Sequence, residues 1–152
     1  MASHNPVNHP AQPIYRAIAG LIAVYLVAFG VLGLIEAAGG EFFAQDDTKV
    51  FGQGTNLALS IVSVAAGVAL LAGTVFGRNL DVLLNTWIGY GLMALGLIGL
   101  ALSRTDANYL NFTVITTIVL MLAGQALLLA GMYGRVGSED ETKAWHDGRL
   151  RA

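Results

Sequence analysis

Apolar residues in this chain gather into four long blocks, with neither the alternation of a strand nor the single stripe of a soluble helix. The blocks run from Ile14 to Ile35, Leu57 to Phe76, Val82 to Leu102 and Phe112 to Met132, and Arg16 is the only fully charged side chain within them. At about 1.5 Å per residue each reaches across a hydrocarbon core roughly 30 Å thick. Four all-round apolar helices in 152 residues would leave a soluble fold too little polar chain to wrap them. The pattern predicts an all-α, integral membrane four-helix bundle over residues 14–136. Residues 1–13, with three prolines, are expected to form a flexible N-terminal segment. Residues 137–152 form a tail, either disordered, the preferred reading, or a short amphipathic surface helix over Thr142 to Leu150.

Self-similarity divides the blocks into two pairs. At a shift of 57, residues 66–78 match residues 123–135 at seven of 13 positions, ending in Phe76-Gly77-Arg78 against Tyr133-Gly134-Arg135. At a shift of 66, Gly30-Val31-Leu32-Gly33-Leu34 echoes Gly96-Leu97-Ile98-Gly99-Leu100. A tandem duplication of a transmembrane helical hairpin is the preferred reading over convergence of glycine-rich helices. Two hairpins entering from one side place the pseudo-twofold axis along the membrane normal, so an inverted-repeat transporter is not indicated. The 19 glycines fit the same picture, since helices in lipid associate through close approach at small residues. Gly73, Gly77, Gly89, Gly96, Gly124, Gly131 and Gly134 are the expected helix-packing positions.

Composition agrees: 55% of residues are hydrophobic and 12% charged, against about 25% charged in soluble domains. A net charge of −2 without a basic run leaves no footprint for nucleic acid. The absence of cysteine removes disulfides, thiolate nucleophiles and thiolate metal sites. The first block is too long for a signal peptide cleaved near Ala37, Ala38 and Gly39, and an uncleaved helix is expected. Arg16, Arg78, Arg135, Lys143, Arg149 and Arg151 fall on the side of the termini, Lys49 and Arg104 on the other. The positive-inside rule then puts both termini on the cytoplasmic side.

Candidate chemistry is sparse. No acid, base or histidine lies at mid-depth, where transporters and proton relays keep them. Glu36 and Asp81 fall at block boundaries, and His4, His9 and His146 fall in the tails, so no catalytic set, cofactor or metal site is expected. Glu41, Asp46 and Asp47 lack the alternating spacing of a calcium loop and read as an acidic loop carrying Phe42 and Phe43. Gln125, with Ser60, Ser63, Thr116 and Thr117, supplies the candidate intramembrane polar contacts, Gln125 being expected to bond a neighbouring helix. Asp106, Asn108 or Asn111 is expected to cap the fourth helix, with Tyr109 as an interfacial anchor; Tyr15, Tyr133 and Trp87 read as aromatics of the opposite side. Asn111-Phe112-Thr113 matches a glycosylation sequon at the membrane edge, where modification is not expected.

Taken together, Gly54-Thr55-Asn56-Leu57-Ala58-Leu59-Ser60, the region of Asn79 and Asn85, Thr105-Asp106-Ala107-Asn108-Tyr109-Leu110 and Gly131-Met132-Tyr133-Gly134-Arg135-Val136-Gly137 resemble an actinobacterial family of small four-helix membrane proteins, domain of unknown function 4383. The resemblance covers roughly residues 15–137 and implies a four-span inner-membrane protein with no assigned reaction, cofactor or substrate. The chain departs from the family's pattern at Gln53 to Thr55 and after Gly137. The sequence therefore favours a non-enzymatic structural or accessory component of the membrane, whose partners are the lipid bilayer and a second copy or a membrane complex. A small channel or carrier for a neutral or lipophilic solute, lined by Gln125, Ser63, Thr116 and Thr117, is the alternative.

Overall fold

In the computed structural model, which describes residues 5–150 and only the backbone at 149 and 150, four long helices stand side by side. They are α1 (Gln12–Glu36), α2 (Leu57–Phe76), α3 (Leu80–Leu102) and α4 (Val114–Tyr133), followed by a shorter α5 (Glu139–Leu150). A two-residue ladder, β1 (Lys49–Val50) against β2 (Gln53–Gly54), interrupts the loop between α1 and α2. Its turn residues Phe51 and Gly52 both have positive φ, at 52° and 75°, the twist a two-residue hairpin requires. His4 and Arg151, and the side chain of Arg149, lie outside the described residues.

Local chemistry sets the ends. Proline in the first turn of α1 gives up an amide that a helix start leaves unpaired anyway. Asn56 caps α2 by accepting from the Leu59 amide at 3.0 Å, and Thr113 caps α4 by accepting from the Thr116 amide at 3.3 Å. The cap of the fourth helix is thus Thr113, in place of the expected Asp106, Asn108 or Asn111. Asn108 closes the turn before it instead, accepting from the Phe112 amide at 2.8 Å.

All four long helices have the length and apolarity to cross a membrane, and their outward faces suit lipid. Leu21, Val75 and Trp87 are 71%, 75% and 70% exposed, an apolar covering too extensive for water. Inside, Ala19, Ala23, Leu26, Leu59, Leu70 and Leu127 form a continuous core.

The bundle closes in the order α1, α2, α3, α4, with the tightest packing inside the α1–α2 and α3–α4 hairpins. Glycine permits it at matched places. A Cβ on Gly30 would stand 2.6 Å from the Ser60 carbonyl and from Val64; one on Gly96 would stand 2.9 Å from the Thr117 carbonyl and 2.5 Å from Met121. A Cβ on Gly67 would meet the Ala23 carbonyl at 2.8 Å, and one on Gly124 the Gly89 carbonyl at the same distance. Every residue in these pairs is related by the shifts of 57 and 66 read from the sequence. Gly30, Gly33, Gly67 and Gly99 therefore join the expected packing glycines. Gly73 seats the start of α3 near Asp81, Gly131 seats Thr86, and Gly77 lies under the Arg16 guanidinium.

At the end where α1 begins and α4 finishes, Asn8 and Asn79 adopt left-handed backbone and hold the stretch 135–137 from two sides. Asn79 exchanges bonds of 2.8 Å with the amide and carbonyl of Val136, and Asn8 does the same with Gly137 at 3.1 and 2.9 Å. The expected flexible lead-in is, over its described residues, anchored to the start of the tail. The tail is helical: Ser138 and Glu141 form a reciprocal capping box, the serine hydroxyl accepting from the Glu141 amide and the carboxylate from the Ser138 amide. The Ser-x-x-Glu spacing was the signal for α5, one turn before the region considered for a surface helix.

Candidate functional site

Polar side chains concentrate at the opposite end, where the loops 37–56 and 103–113 meet over the bundle. Thr55 and Asn56 are fully buried there, as are Ser60, Thr116 and Thr117 just below, and Asn108 and Asn111 are nearly so. Their placement follows from the helix starts: a chain turning out of α1 and back into α2, and out of α3 and back into α4, leaves first-turn amides and loop carbonyls needing partners.

Each asparagine bridges segments distant in sequence. The Asn56 amide donates to the Ala44 carbonyl at 3.1 Å and the Tyr109 carbonyl at 2.9 Å while its oxygen caps α2. The Asn111 amide donates to the Asp46 carbonyl at 3.0 Å and the Thr55 carbonyl at 2.8 Å. Both hydrogens of the Asn111 amide are thus engaged, one toward each arm of the loop 37–56.

Gly54 is the point where β2 meets α4. Its amide donates to the Thr113 hydroxyl at 3.1 Å, and its carbonyl accepts from the Thr116 hydroxyl at 3.0 Å. A Cβ there would come within 2.7 Å of Thr113 Cγ2 and strike the Asn111 carbonyl. Gln53 reaches back to donate to the Tyr25 hydroxyl on α1. The outer rim is exposed; Asp46 accepts from Thr48, and bonds from its hydroxyl first and its main-chain amide second hold the Asp46 carboxyl below the usual carboxylate range.

The structure brings two of the five polar candidates into this layer. Ser60 pairs with the Thr55 hydroxyl at 3.0 Å, and Thr116 bonds Gly54 and the Thr113 hydroxyl. Ser63 and Thr117 spend their hydroxyls on their own helices, on the carbonyls of Leu59 and Val114, both at 2.8 Å. Gln125 departs from expectation altogether. It is exposed on the outer face of α4 and bonds no neighbouring helix of this chain, because the inward stripe of α4 is Leu120, Gly124, Leu127 and Gly131. A path lined jointly by Gln125, Ser63, Thr116 and Thr117 is not formed.

Two further placements escaped sequence reasoning. Arg16 donates through its guanidinium to the Thr74 carbonyl, with Nε at 3.0 Å, so the cation sits at the C-terminal end of α2 where the helix dipole favours it. Asp81, expected as a boundary charge, is 5% exposed and accepts from the Val82 amide at 3.0 Å in the first turn of α3. Asn56 carried a legible signal, a capping residue directly before an apolar run. Arg16 carried none, since its partner is a backbone carbonyl 58 residues away.

Among the described residues no buried side-chain nitrogen or oxygen lacks a partner, and no cluster of three or more acids or histidines could hold a metal ion. The layer's groups are committed to backbone carbonyls and amides or to one another, so its chemistry is that of a clamp between two loops. Beside it, Phe43, Leu95, Ile98, Leu102, Tyr109 and Phe112 are among the residues lining an apolar pocket of about 510 Å³. Length, hydropathy and packing together describe the class: a multi-pass helical membrane protein. Comparison with family models, curated proteins and solved structures finds no match for the chain.

Proposed function

We propose that this protein is a non-enzymatic structural or accessory component of the bacterial cytoplasmic membrane, built from a duplicated helical hairpin, with both termini in the cytoplasm. The closed polar layer carries the reading. Its buried amides and hydroxyls are used to fix one loop to the other, as in a scaffold that presents its outer faces to something else. The distribution of arginine and lysine supports the orientation, and the matched glycine contacts support the duplication. The sequence strings running from Gly54 to Gly137 support membership of the actinobacterial four-helix family, with no reaction attached.

Extraction of the full chain from native membranes in mild detergent, followed by identification of what co-purifies, tests the proposal. A discrete protein assembly is expected. An isolated monomer carrying a stoichiometric small molecule would contradict it and favour the second reading, a carrier of a lipophilic solute. That reading has its own support in the apolar pocket of about 510 Å³ at the loop end.

A further inference from the structure

The outer face of α4 contains one residue that lipid cannot serve. Gln125 is exposed about 12 Å from one end of the helix and about 16 Å from the other, so its amide meets the middle of the hydrocarbon layer. Neither water nor a headgroup reaches that depth, and among the described residues none bonds its side chain. The fold does not demand a polar group there. At the matched place in the other hairpin stands Val68, 53% exposed and fully compatible with lipid.

Around Gln125 the exposed residues of α4 follow a strict three-four spacing: Ile118, Leu122, Gln125, Leu129 and Met132. The outward face of α3 has the same spacing, in Leu83, Trp87, Tyr90, Ala94 and Leu97, so what sets the α4 seam apart is its carboxamide; one such polar position fixes register and partner number in coiled coils. Beside the seam a shallow apolar groove of about 440 Å³ separates α4 from α1, with Leu21 and Ile22 on one bank and Val119, Leu122 and Ala126 on the other.

From these observations we infer that α4 is the interface of a parallel homodimer, with Gln125 of one copy hydrogen-bonded to Gln125 of a second copy. A primary amide is both donor and acceptor, so a twofold axis beside Gln125 satisfies both copies with two reciprocal N–H to carbonyl bonds. An axis along the membrane normal keeps both copies in the same topology and lets each seam enter its partner's groove. The inference rests on the accessory reading and names its partner.

The absence of cysteine allows a direct test in native membranes. Single variants Leu122→Cys and Leu129→Cys should give covalent dimers on mild oxidation; Val68→Cys and Leu97→Cys, equally exposed on other helices, should not. Gln125→Val, which copies the residue of the matched hairpin, should weaken self-association about 3- to 30-fold by energy transfer in bilayers of defined composition while leaving the melting temperature of the monomer unchanged. Equal cross-linking at all four positions, or indifference to Gln125→Val, would overturn the dimer. Capture of a different polypeptide through Leu122→Cys would also overturn it and leave the accessory reading standing, whereas a solute-loaded monomer would remove both.

Discussion

The two hairpins share a packing scheme and differ in how they are finished. Gly30 on Ser60 and Val64, and Gly67 on Ala23 and Val27, have their counterparts in Gly96 on Thr117 and Met121, and Gly124 on Gly89 and Met93. The finishing residues diverge at equally matched places. Gly33 lies against Thr55 and Ser60, and Gly99 against their counterparts Phe112 and Thr117, so that a ring stands where the first hairpin has a hydroxyl side chain; Gly77 lies under Arg16, but Gly134 lies against Val82. Asn56 caps one hairpin and clamps two distant carbonyls, whereas Thr113 caps the other and bonds Gly54. The contrast separates what makes helices pair in lipid, a repeated backbone approach through small residues, from what distinguishes one pair from the other, a few polar substitutions at its ends and outer face.

The largest effect should come from the shared part. Gly30→Leu and Gly96→Leu each drive a four-carbon side chain into a facing backbone carbonyl that cannot give, so the cost lies beyond the usual overpacking range of about 1–3 kcal/mol, at about 4 kcal/mol or more. Comparable losses in reversible unfolding would show that the hairpins are equivalent; a much smaller loss for one would break the equivalence. Asn56→Ala should come next, because it removes a cap and leaves the Ala44 and Tyr109 carbonyls unpaired, about 2–4 kcal/mol in total, against about 1–2 kcal/mol for Thr113→Ala. Equal costs would remove the asymmetry assigned to the loop end. Arg16→Leu should cost about 1–2 kcal/mol and loosen the last turn of α2, read as faster amide exchange near Thr74 and Gly77.

The smallest effect is the titration of Asp46. Its carboxyl is held below the ordinary range in the folded protein, so its contribution is present above the unfolded carboxylate value of about 3.9 and is lost as pH falls through the folded value. Melting temperatures of the wild type and Asp46→Asn should therefore differ slightly at pH 6 and converge as the pH falls below the folded value of the carboxyl. A constant difference across that range would mean that the Thr48 bonds are not what the charge stabilises.

The sequence made the four spans legible to within two residues at each end, because a bilayer-spanning helix needs length and apolarity and little else. The glycine echo was legible too, and the contacts of Gly67 and Gly124 show what it does in packing. Other features were hidden because they depend on partners remote in sequence. Nothing near Asn111 announces that its amide serves Asp46 and Thr55, and nothing near Arg16 announces Thr74. Gln125 failed for a different reason. Composition marks it as polar within an apolar block, but its facing is decided by helical phase, and counting from Leu120, Gly124 and Leu127 puts it outside.

Impermeant maleimide labelling of single-cysteine variants in intact cells tests the membrane-spanning pair of hairpins most directly, since the chain has no cysteine of its own. Asp47→Cys and Thr105→Cys, exposed at the loop end, should both be labelled from outside, and Arg78→Cys and Glu139→Cys, exposed at the other end, only after the membrane is opened. Labelling of one residue from each end in the same intact cells would contradict the account.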